Sequence, residues 1–459
     1  TWARGVFVPT GSMSRIDAIV QELKGKHATP DEQVLGALDF VQKQVHYFGT
    51  ESGVNSHRPV APDKVLEQRF GDCKDKAALL VALVRRMGFQ AAPVLVSYRM
   101  RSQVDQLLPS PLAFDHAIAQ VKLGDTAYWL DGTRAHQSGP LSQRQARGFM
   151  RGLPLADGVN ELAMLPHPFD TLQMRVTDQF KVEEFAKGAT LESRILWRGD
   201  LAERLRDSLS NGATQELSRQ FADTYLRAYP GIQNLNQTEF DSSRDDDAVT
   251  VIQRFTMPEF WQFPDERLLK TDVHLWGVVD AVNFPRSNKR NMPLAVTVPG
   301  IYQHDISLQV PQSVWEATKP IAQAEQMNGF SWRVKIEAKG SQAEASTWLR
   351  LGTEQFEAAQ FPALSEKVAQ LRSKLGASFS APPFTRQQLD HLPKQFVALS
   401  KQIHSTRPQP ATEIQFKAQI DAFKLTEQMK SERLSPKLTA QALVARAIAY
   451  DFQGKAGQA

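Results

Sequence analysis

Residues 69–80 read Arg69-Phe70-Gly71-Asp72-Cys73-Lys74-Asp75-Lys76-Ala77-Ala78-Leu79-Leu80. Apolar residues recur at helical spacing from Ala77 to Met87, and Gly88 supplies a stop signal, so this segment is predicted to be a helix. Asp72 is a suitable N-cap, which puts Cys73 in the first helical turn. There the unpaired amide N–H groups and the helix dipole favour a thiolate over a thiol. The two neighbouring lysines add positive charge, and together these features predict a reactive cysteine.

Cys73 is the single cysteine among 459 residues. A lone cysteine is often a small buried hydrophobe, and that reading is the alternative here. Burial would suit a position inside the apolar stripe, whereas Cys73 lies ahead of the stripe among charged neighbours. The sequence therefore favours a nucleophile. One cysteine also excludes an internal disulfide and any metal site with several cysteine ligands.

The composition is that of an ordinary globular protein, with 42% hydrophobic and 23% charged residues. The length predicts two to four domains, each large enough for its own core. A net charge of +4, without a basic stripe interleaved with aromatics, does not indicate nucleic-acid binding. The sequence contains no run of about 18 apolar residues, the pattern that would predict a transmembrane segment. The chain begins at Thr1 without a leader, so we expect a processed or excised piece whose signal region is out of view.

Two predicted strands, His116–Leu123 and Thr126–Asp131, are joined by Gly124-Asp125, a suitable hairpin turn. If Leu123 faces Thr126, Asp131 becomes the diagonal neighbour of His116 on the same face of the sheet. A diagonal separation of roughly 7 Å lets a carboxylate reach an imidazole N–H. A register slip of one residue would send the two side chains to opposite faces, and the alternative for His116 is a histidine without a partner.

Three motifs together resemble the transglutaminase-like core: residues 71–77 (Gly-Asp-Cys-Lys-Asp-Lys-Ala), 114–118 (Phe-Asp-His-Ala-Ile) and 128–133 (Tyr-Trp-Leu-Asp-Gly-Thr). More narrowly, the chain is similar to the bacterial group in which this core lies between two domains of unknown function, DUF3857 before it and DUF3858 after it. The resemblance covers residues 1–165 well and extends more loosely to about 380.

The resemblance implies a papain-like fold with Cys73 as the nucleophile, His116 as general base and acid, and Asp131 as the orienting carboxylate. The chain has Asp131-Gly132 where many members have aspartate followed by proline. It has His57-Arg58 where the family has a tyrosine–glutamine pair, which puts the side chain that holds the oxyanion in doubt. The backbone N–H of Cys73 is one natural donor. Three further residues are candidates for substrate binding or the oxyanion hole: Tyr47, Arg58 and Trp129.

The expected fold class is α+β, a papain-like transglutaminase core followed by a mainly β domain and a C-terminal helical segment. The core is predicted over residues 1–165, after an extended start at Gly5–Pro9. A DUF3858-like, mainly β domain is predicted over 166–380, with one long inserted helix from Leu201 to Ala228. Residues 381–459 are predicted to be helical, and the last helix is interpreted either as the start of tetratricopeptide-type repeats or as a simple terminal helix. The acidic run at Asp241 and 244–247 is interpreted as a solvated turn rather than a cation site, because its spacing fits no EF-hand.

These features predict thiol-dependent acyl transfer or hydrolysis on amide bonds of a protein or peptide substrate, through a thioester. The residues leave hydrolysis and transfer both open. The alternative is a non-catalytic interaction scaffold with a degenerate core, whose C-terminal helices would bind a protein partner. No cofactor and no metal are expected, because the His-Glu-x-x-His and paired-cysteine motifs are missing. The family resemblance favours a periplasmic or secreted location.

Overall fold

The computed structural model describes residues 2–7, 11–49, 56–184, 187–243, 245–265, 268–285, 289–316 and 319–381. The predicted C-terminal helical segment, with the tetratricopeptide-type repeat, lies outside the described residues except for residue 381, which ends the last described strand. Within the described residues, no helix is both long enough and apolar enough to cross a membrane.

The first part of the fold, up to residue 165, combines helices with a small sheet. Its helices are α1 (Trp2–Val6), α2 (Ser14–Lys26), α3 (Pro30–Gln44), α4 (Pro62–Gln68) and α5 (Cys73–Arg86). Its strands are β1 (His46–Tyr47), β2 (Phe70–Gly71), β3 (Gln90–Val96), β4 (His116–Leu123), β5 (Thr126–Leu130), β6 (Arg151–Pro154) and β7 (Ala163–Met164). β1 and β2 form a short parallel pair, and the others form an antiparallel sheet in the order β5-β4-β3-β6-β7.

Helix α5 begins where the sequence predicts, because Asp72 and Asp75 form a capping box. The Asp72 carboxylate accepts the N–H of Asp75, and the Asp75 carboxylate accepts the N–H of Asp72. The apolar residues from Ala77 to Val84 are all buried, since α2 and α3 cover one side of α5 and strands β3 and β4 the other. Asp75 also accepts the N–H of Val60, which ties the preceding loop to the helix start.

The second part is mainly β, with three helices among the described residues. Its strands are β8 (Leu172–Lys181), β9 (Ala189–Arg198), β10 (Gln233–Asn234), β11 (Glu239–Ser242), β12 (Ala248–Met257), β13 (Gln262–Asp265), β14 (Leu268–His274), β15 (Leu294–Ala295), β16 (Gly300–Gln309), β17 (Ile321–Met327), β18 (Phe330–Lys339), β19 (Gln342–Leu351), β20 (Gln355–Phe356) and β21 (Gly376–Ala381). Its helices are α6 (Gly199–Ser210), α7 (Thr214–Ala228) and α8 (Phe361–Arg372).

The largest sheet has the strand order β10-β12-β9-β8-β16-β19-β18-β17. All its neighbours are antiparallel except β8 and β16, which are parallel and join its two halves. The hydrophobic clusters divide along the chain: three lie within residues 7–165, and a larger one lies within residues 174–379. This division supports a proposed domain boundary near residue 165.

Two predicted elements are wrong in detail. The single helix predicted from Leu201 to Ala228 is two helices, because Asn211 and Gly212 end α6 and Gly212 adopts a φ of 80° that favours glycine. The N-terminal segment predicted to be extended from Gly5 is instead the end of helix α1 at residues 5 and 6.

A closed polar network lies in the core of the β domain. Asp178 and His304 are fully buried, and Asp178 accepts hydrogen bonds from the Tyr225 hydroxyl at 2.7 Å and from His304 Nε2 at 3.1 Å. The N–H of Gly277 donates to His304 Nδ1, so the neutral ring carries its proton on Nε2. Because its members satisfy one another, this network binds β8, α7 and β16 together and has a structural role.

Candidate active site

Cys73 is the first residue of α5, and its side chain is half-buried. The β1–β2 pair fixes where the chain enters α5, because β2 ends at Gly71 and the N-cap residue Asp72 follows directly. A Cβ atom on Gly71 would lie 2.8 Å from the Cβ of Asp75, so glycine is needed beside the capping box. The thiol therefore lies at the positive end of the α5 dipole, as the sequence predicts.

The predicted hairpin register is confirmed. Leu123 pairs with Thr126, and the ladder continues to the pair of Ala119 with Leu130. Strand β5 ends one residue earlier than predicted, so Asp131 begins the following turn. His116 Nε2 and Asp131 Oδ2 are 2.8 Å apart, and the predicted contact between the two side chains is present.

Hydrogen bonds fix both the carboxylate and the backbone carbonyl of Asp131. It is fully buried, and its Oδ1 accepts the backbone N–H of Thr133 at 2.9 Å and the Thr133 hydroxyl at 2.7 Å. Its backbone carbonyl accepts a hydrogen bond from Gln42 Nε2 at 2.9 Å. These bonds fix the oxygen that faces the imidazole, so the ring of His116 is held in one orientation.

The charges of this pair stabilise each other. Burial alone would lower the pKa of His116, but the charge and hydrogen bond of Asp131, with a contribution from the nearby Cys73 thiol, raise it to about 10. Burial alone would raise the pKa of Asp131, but the charge and hydrogen bond of His116, with the bonds from Thr133, lower it to about 2. The imidazolium–carboxylate state is therefore favoured at neutral pH. Because Nε2 faces Asp131, Nδ1 is the ring nitrogen left for the thiol.

Asp131→Asn is expected to reduce stability by an amount that depends on pH. The folded pKa of His116 lies above its unfolded value of about 6.5, so the stabilisation is complete below about pH 6.5 and is lost as pH rises. The folded pKa of Asp131 lies below its unfolded value of about 3.9, so stabilisation is also lost as pH falls below that value. The difference in free energy of unfolding between wild type and variant should be largest between about pH 4 and 6.5, and smaller at about pH 9. Urea denaturation measures it, and a difference independent of pH would contradict the ion pair.

Two aromatic rings enclose the imidazole, and the sequence analysis did not identify either. The ring centroids of Tyr98 and Phe149 lie 4.8 Å and 5.6 Å from that of His116, and 4.7 Å from each other. Tyr98 is 55% exposed, so its ring borders the solvent side of the site. Trp129 is only 6% exposed and packs in a cluster with Ile118 and Phe149. Trp129 therefore supports this ring stack, and its role in substrate binding or the oxyanion hole stays a prediction.

The two lysines that follow Cys73 are both engaged. Lys76 is buried and donates to the carbonyl oxygen of Val45 at 2.6 Å. Burial lowers the pKa of Lys76 to about 8, although the charge of Asp131 opposes this shift. The ammonium group of Lys74 forms an ion pair with Asp72. The two lysine charges predicted to lie beside the thiol are thus bound by other groups, Lys76 by a backbone carbonyl oxygen and Lys74 by the carboxylate of the N-cap residue.

The remaining predicted residues lie at the surface near the helix start. Tyr47 pairs with Gly71 of β2, and Gly71 lies two residues before Cys73 in the sequence. The side chain of Tyr47 is largely exposed. Arg58 is exposed in the loop before α4. A role for either residue in binding the substrate or the oxyanion stays a prediction.

The β domain packs on the loop that follows Asp131. Arg134 donates from Nε to Glu203 of α6 at 2.7 Å and also forms an ion pair with Asp200. Arg206 of the same helix donates to the carbonyl oxygen of His136 at 3.1 Å. The segment that positions Asp131 beside His116 therefore also contacts the mainly β part of the fold, a connection with no signal in the local sequence.

The acidic turn before β12 is bound by arginines. Asp246 forms a two-bond ion pair with Arg198, at 2.8 and 2.7 Å, and Asp247 pairs with Arg206 at 3.1 Å. Asp241 lies in β11. Across the described ranges, no three His, Cys, Asp or Glu side chains are grouped so as to hold a metal ion.

A search of curated proteins gave no match. Among solved structures, the chain is similar to a crystal structure from Parabacteroides distasonis described as a candidate protease, with 12% sequence identity and a TM-score of 0.47. The similarity covers 81% of this chain and 56% of that chain, so this chain spans little more than half the length of that protein. Residues 17–131 match the family model of the Transglutaminase-like superfamily, and this segment contains Cys73, His116 and Asp131.

Proposed function

We propose that the chain is a thiol-dependent acyltransferase or hydrolase that acts on amide bonds of a protein or peptide. Cys73 is the nucleophile, His116 the general base and acid, and Asp131 the orienting carboxylate. The observation that carries the proposal is the 2.8 Å contact between His116 and the buried Asp131, with the thiol at the start of α5 beside the same ring. The family match of residues 17–131 gives independent support.

The reaction proceeds in two steps. Because His116 is an imidazolium in the resting pair, the Cys73 sulfur attacks the carbonyl carbon as the thiolate, forming a C–S bond. When the tetrahedral intermediate collapses, the C–N bond breaks and the imidazolium protonates the departing amine. Water or an amine then attacks the thioester and gives its proton to the neutral His116, the C–S bond breaks, and the Cys73 thiolate beside the imidazolium is regenerated. Water completes hydrolysis, and an amine completes transfer.

The developing oxyanion needs hydrogen-bond donors. The first amides of a helix have no intrahelical acceptor, so the N–H of Cys73 is a suitable first donor. Tyr47 and Arg58 stay candidates for a second donor. A papain-like topology for the core and a DUF3858-like identity for the mainly β domain are part of the same proposal.

The test is the rate at which iodoacetamide alkylates Cys73 at pH 6. Because an imidazolium neighbour stabilises the thiolate, wild type should react about 10- to 100-fold faster than His116→Ala. The chain has one cysteine, so mass spectrometry of the intact protein reports this site alone. His167→Ala, outside the triad, serves as the matched control and should leave the rate unchanged. Equal rates for wild type and His116→Ala, at the level of a free cysteine, would refute the proposal and favour a scaffold.

A further inference from the structure

A cavity of about 250 Å³ lies between the two parts of the fold. This volume is far larger than the roughly 10–15 Å³ that one water needs. Residues from both parts line it, and the charged ones are four arginines and two aspartates, a net charge of +2: Arg101, Arg134, Arg147, Arg198, Asp200 and Asp247. A cavity with this lining favours an anionic ligand.

Most of these charges are already paired within the protein. Asp200 is bound by Arg134, Asp247 by Arg206, and Arg198 by Asp246. The aspartates of the lining therefore do not cancel the charge of the remaining two arginines, Arg101 and Arg147.

Arg101 and Arg147 have no carboxylate within ion-pair distance among the described residues. Arg101 donates to the carbonyl oxygen of Val296 at 3.1 Å, and Arg147 donates to the Thr171 hydroxyl at 3.2 Å. Each guanidinium has further N–H donors beyond these neutral contacts, and carboxylates match that geometry.

One residue of the lining has a side-chain acceptor without a partner among the described residues. Gln145 lines the cavity, and its Oε1 atom is buried without a hydrogen bond from the described residues. A buried carbonyl oxygen of this kind is stabilised by an N–H donor, and a peptide backbone offers one. Guanidinium donors for a carboxylate and an acceptor for an N–H together match an acidic peptide better than a small inorganic anion.

Three chain segments connect the triad with the cavity. Tyr98, against the His116 ring, is followed three residues later by Arg101. Phe149, on the other side of the ring, is preceded by Arg147 and Gly148. The turn that begins at the orienting aspartate reaches the cavity within three residues, at the arginine paired with α6. Each of these three short segments therefore has one residue at the triad and another in the lining of the cavity.

We propose that this cavity binds a carboxylate of an acidic peptide substrate, through Arg101 and Arg147, while the reacting amide lies at Cys73. The interpretation of this cavity as a substrate subsite rests on the proposed function. An extended peptide advances about 3.3–3.6 Å per residue, so the distance between Cys73 and the cavity fixes which position of the peptide carries the acidic residue. The preference for acidic peptides is a property of binding and exists without turnover.

The test uses the Cys73→Ala chain, so that binding is measured without reaction. Fluorescein-labelled decapeptides carry one fixed glutamine and one glutamate moved position by position, each with a twin in which a second glutamine replaces the glutamate. We expect at least one register to bind about tenfold or more tightly than its twin by fluorescence anisotropy. Adding Arg147→Gln or Arg101→Gln should reduce this preference to about that of the twin. Adding Arg219→Gln, an exposed arginine on α7, should leave it unchanged.

Several outcomes would overturn the proposal. One is the absence of an acidic preference in every register, and another is a preference that survives in both arginine variants with their melting temperatures retained. Binding of inorganic phosphate that depends on Arg147, without any peptide preference, would make this a site for small anions. Alkylation of Cys73 in the wild-type chain reports the proposed function separately, so a failure of one proposal is distinguishable from a failure of the other.

Discussion

Cys73→Ala is expected to abolish amide hydrolysis and transfer by this chain, with a fall in turnover of at least about 10⁴-fold. The His116–Asp131 pair can still move a proton, but without the sulfur no thioester forms. The fold should be retained, because alanine is a strong helix former and the side chain at this position is only half-buried. Turnover is measured by mass spectrometry as the release of ammonia or amine, and of shortened or conjugated products, from a pooled peptide library.

Two further variants sharpen this experiment. Cys73→Ser keeps the shape of the side chain with a much weaker nucleophile, and should also lose most of the turnover. Ser218→Ala, an exposed position on α7, is the matched control and should leave turnover unchanged. Retained turnover in Cys73→Ala, with an unchanged circular dichroism spectrum, would rule out the covalent mechanism.

Arg134→Met is expected to destabilise the packing between the two parts of the fold by about 3–5 kcal/mol, because it removes one partner of a buried ion pair. Glu203 is largely buried, and burial raises its pKa while the charge of Arg134 opposes that rise. Without the guanidinium, the carboxylate would be left charged in a dry interface, or would take up a proton. The loss of stability in Arg134→Met should therefore become smaller as pH falls toward about 4.3, the ordinary pKa of a glutamate. Urea denaturation at pH 7 and pH 5 measures both effects.

The double variant Arg134→Met with Glu203→Met should recover much of this loss, because the buried Glu203 charge is gone and the other partner of Arg134, Asp200, has a side chain that is 44% exposed. Arg219→Met breaks an exposed ion pair with Glu216 on α7 and should change stability by less than about 1 kcal/mol. A cost for Arg134→Met no larger than that of Arg219→Met would show that the buried pair does not hold α6 against the Asp131 loop.

The parts of the site that were predictable from sequence are those set by local rules. The start of α5 depends on a capping box between residues three apart, and the N-cap at Asp72 can be read directly. The register between β4 and β5 depends on a two-residue turn, which fixes where Asp131 lies relative to His116. The same kind of local signal was present at Gly212 and would have divided the long predicted helix.

The parts that were not predictable depend on contacts between distant segments. Tyr98 and Phe149 lie in loops far from each other in sequence, and no periodicity or motif brings their rings to His116. Arg134 finds its partners on α6, where Asp200 and Glu203 look like ordinary charges on an amphipathic helix. Such contacts follow from how the two parts pack, which a single sequence does not encode in any local pattern.

The parallel pairing of β8 with β16 has a consequence for how the chain is made. It joins positions as far apart as Arg175 and Gln303, which are separated by 128 residues. At a synthesis rate of 5–20 residues per second, β8 waits on the order of ten seconds for its neighbour to emerge from the ribosome. During that interval one side of a ten-residue strand offers unsatisfied backbone groups to any other extended polypeptide. Until β16 has been synthesised, this unpaired side of β8 is therefore the part of the nascent sheet that is open to wrong strand pairing.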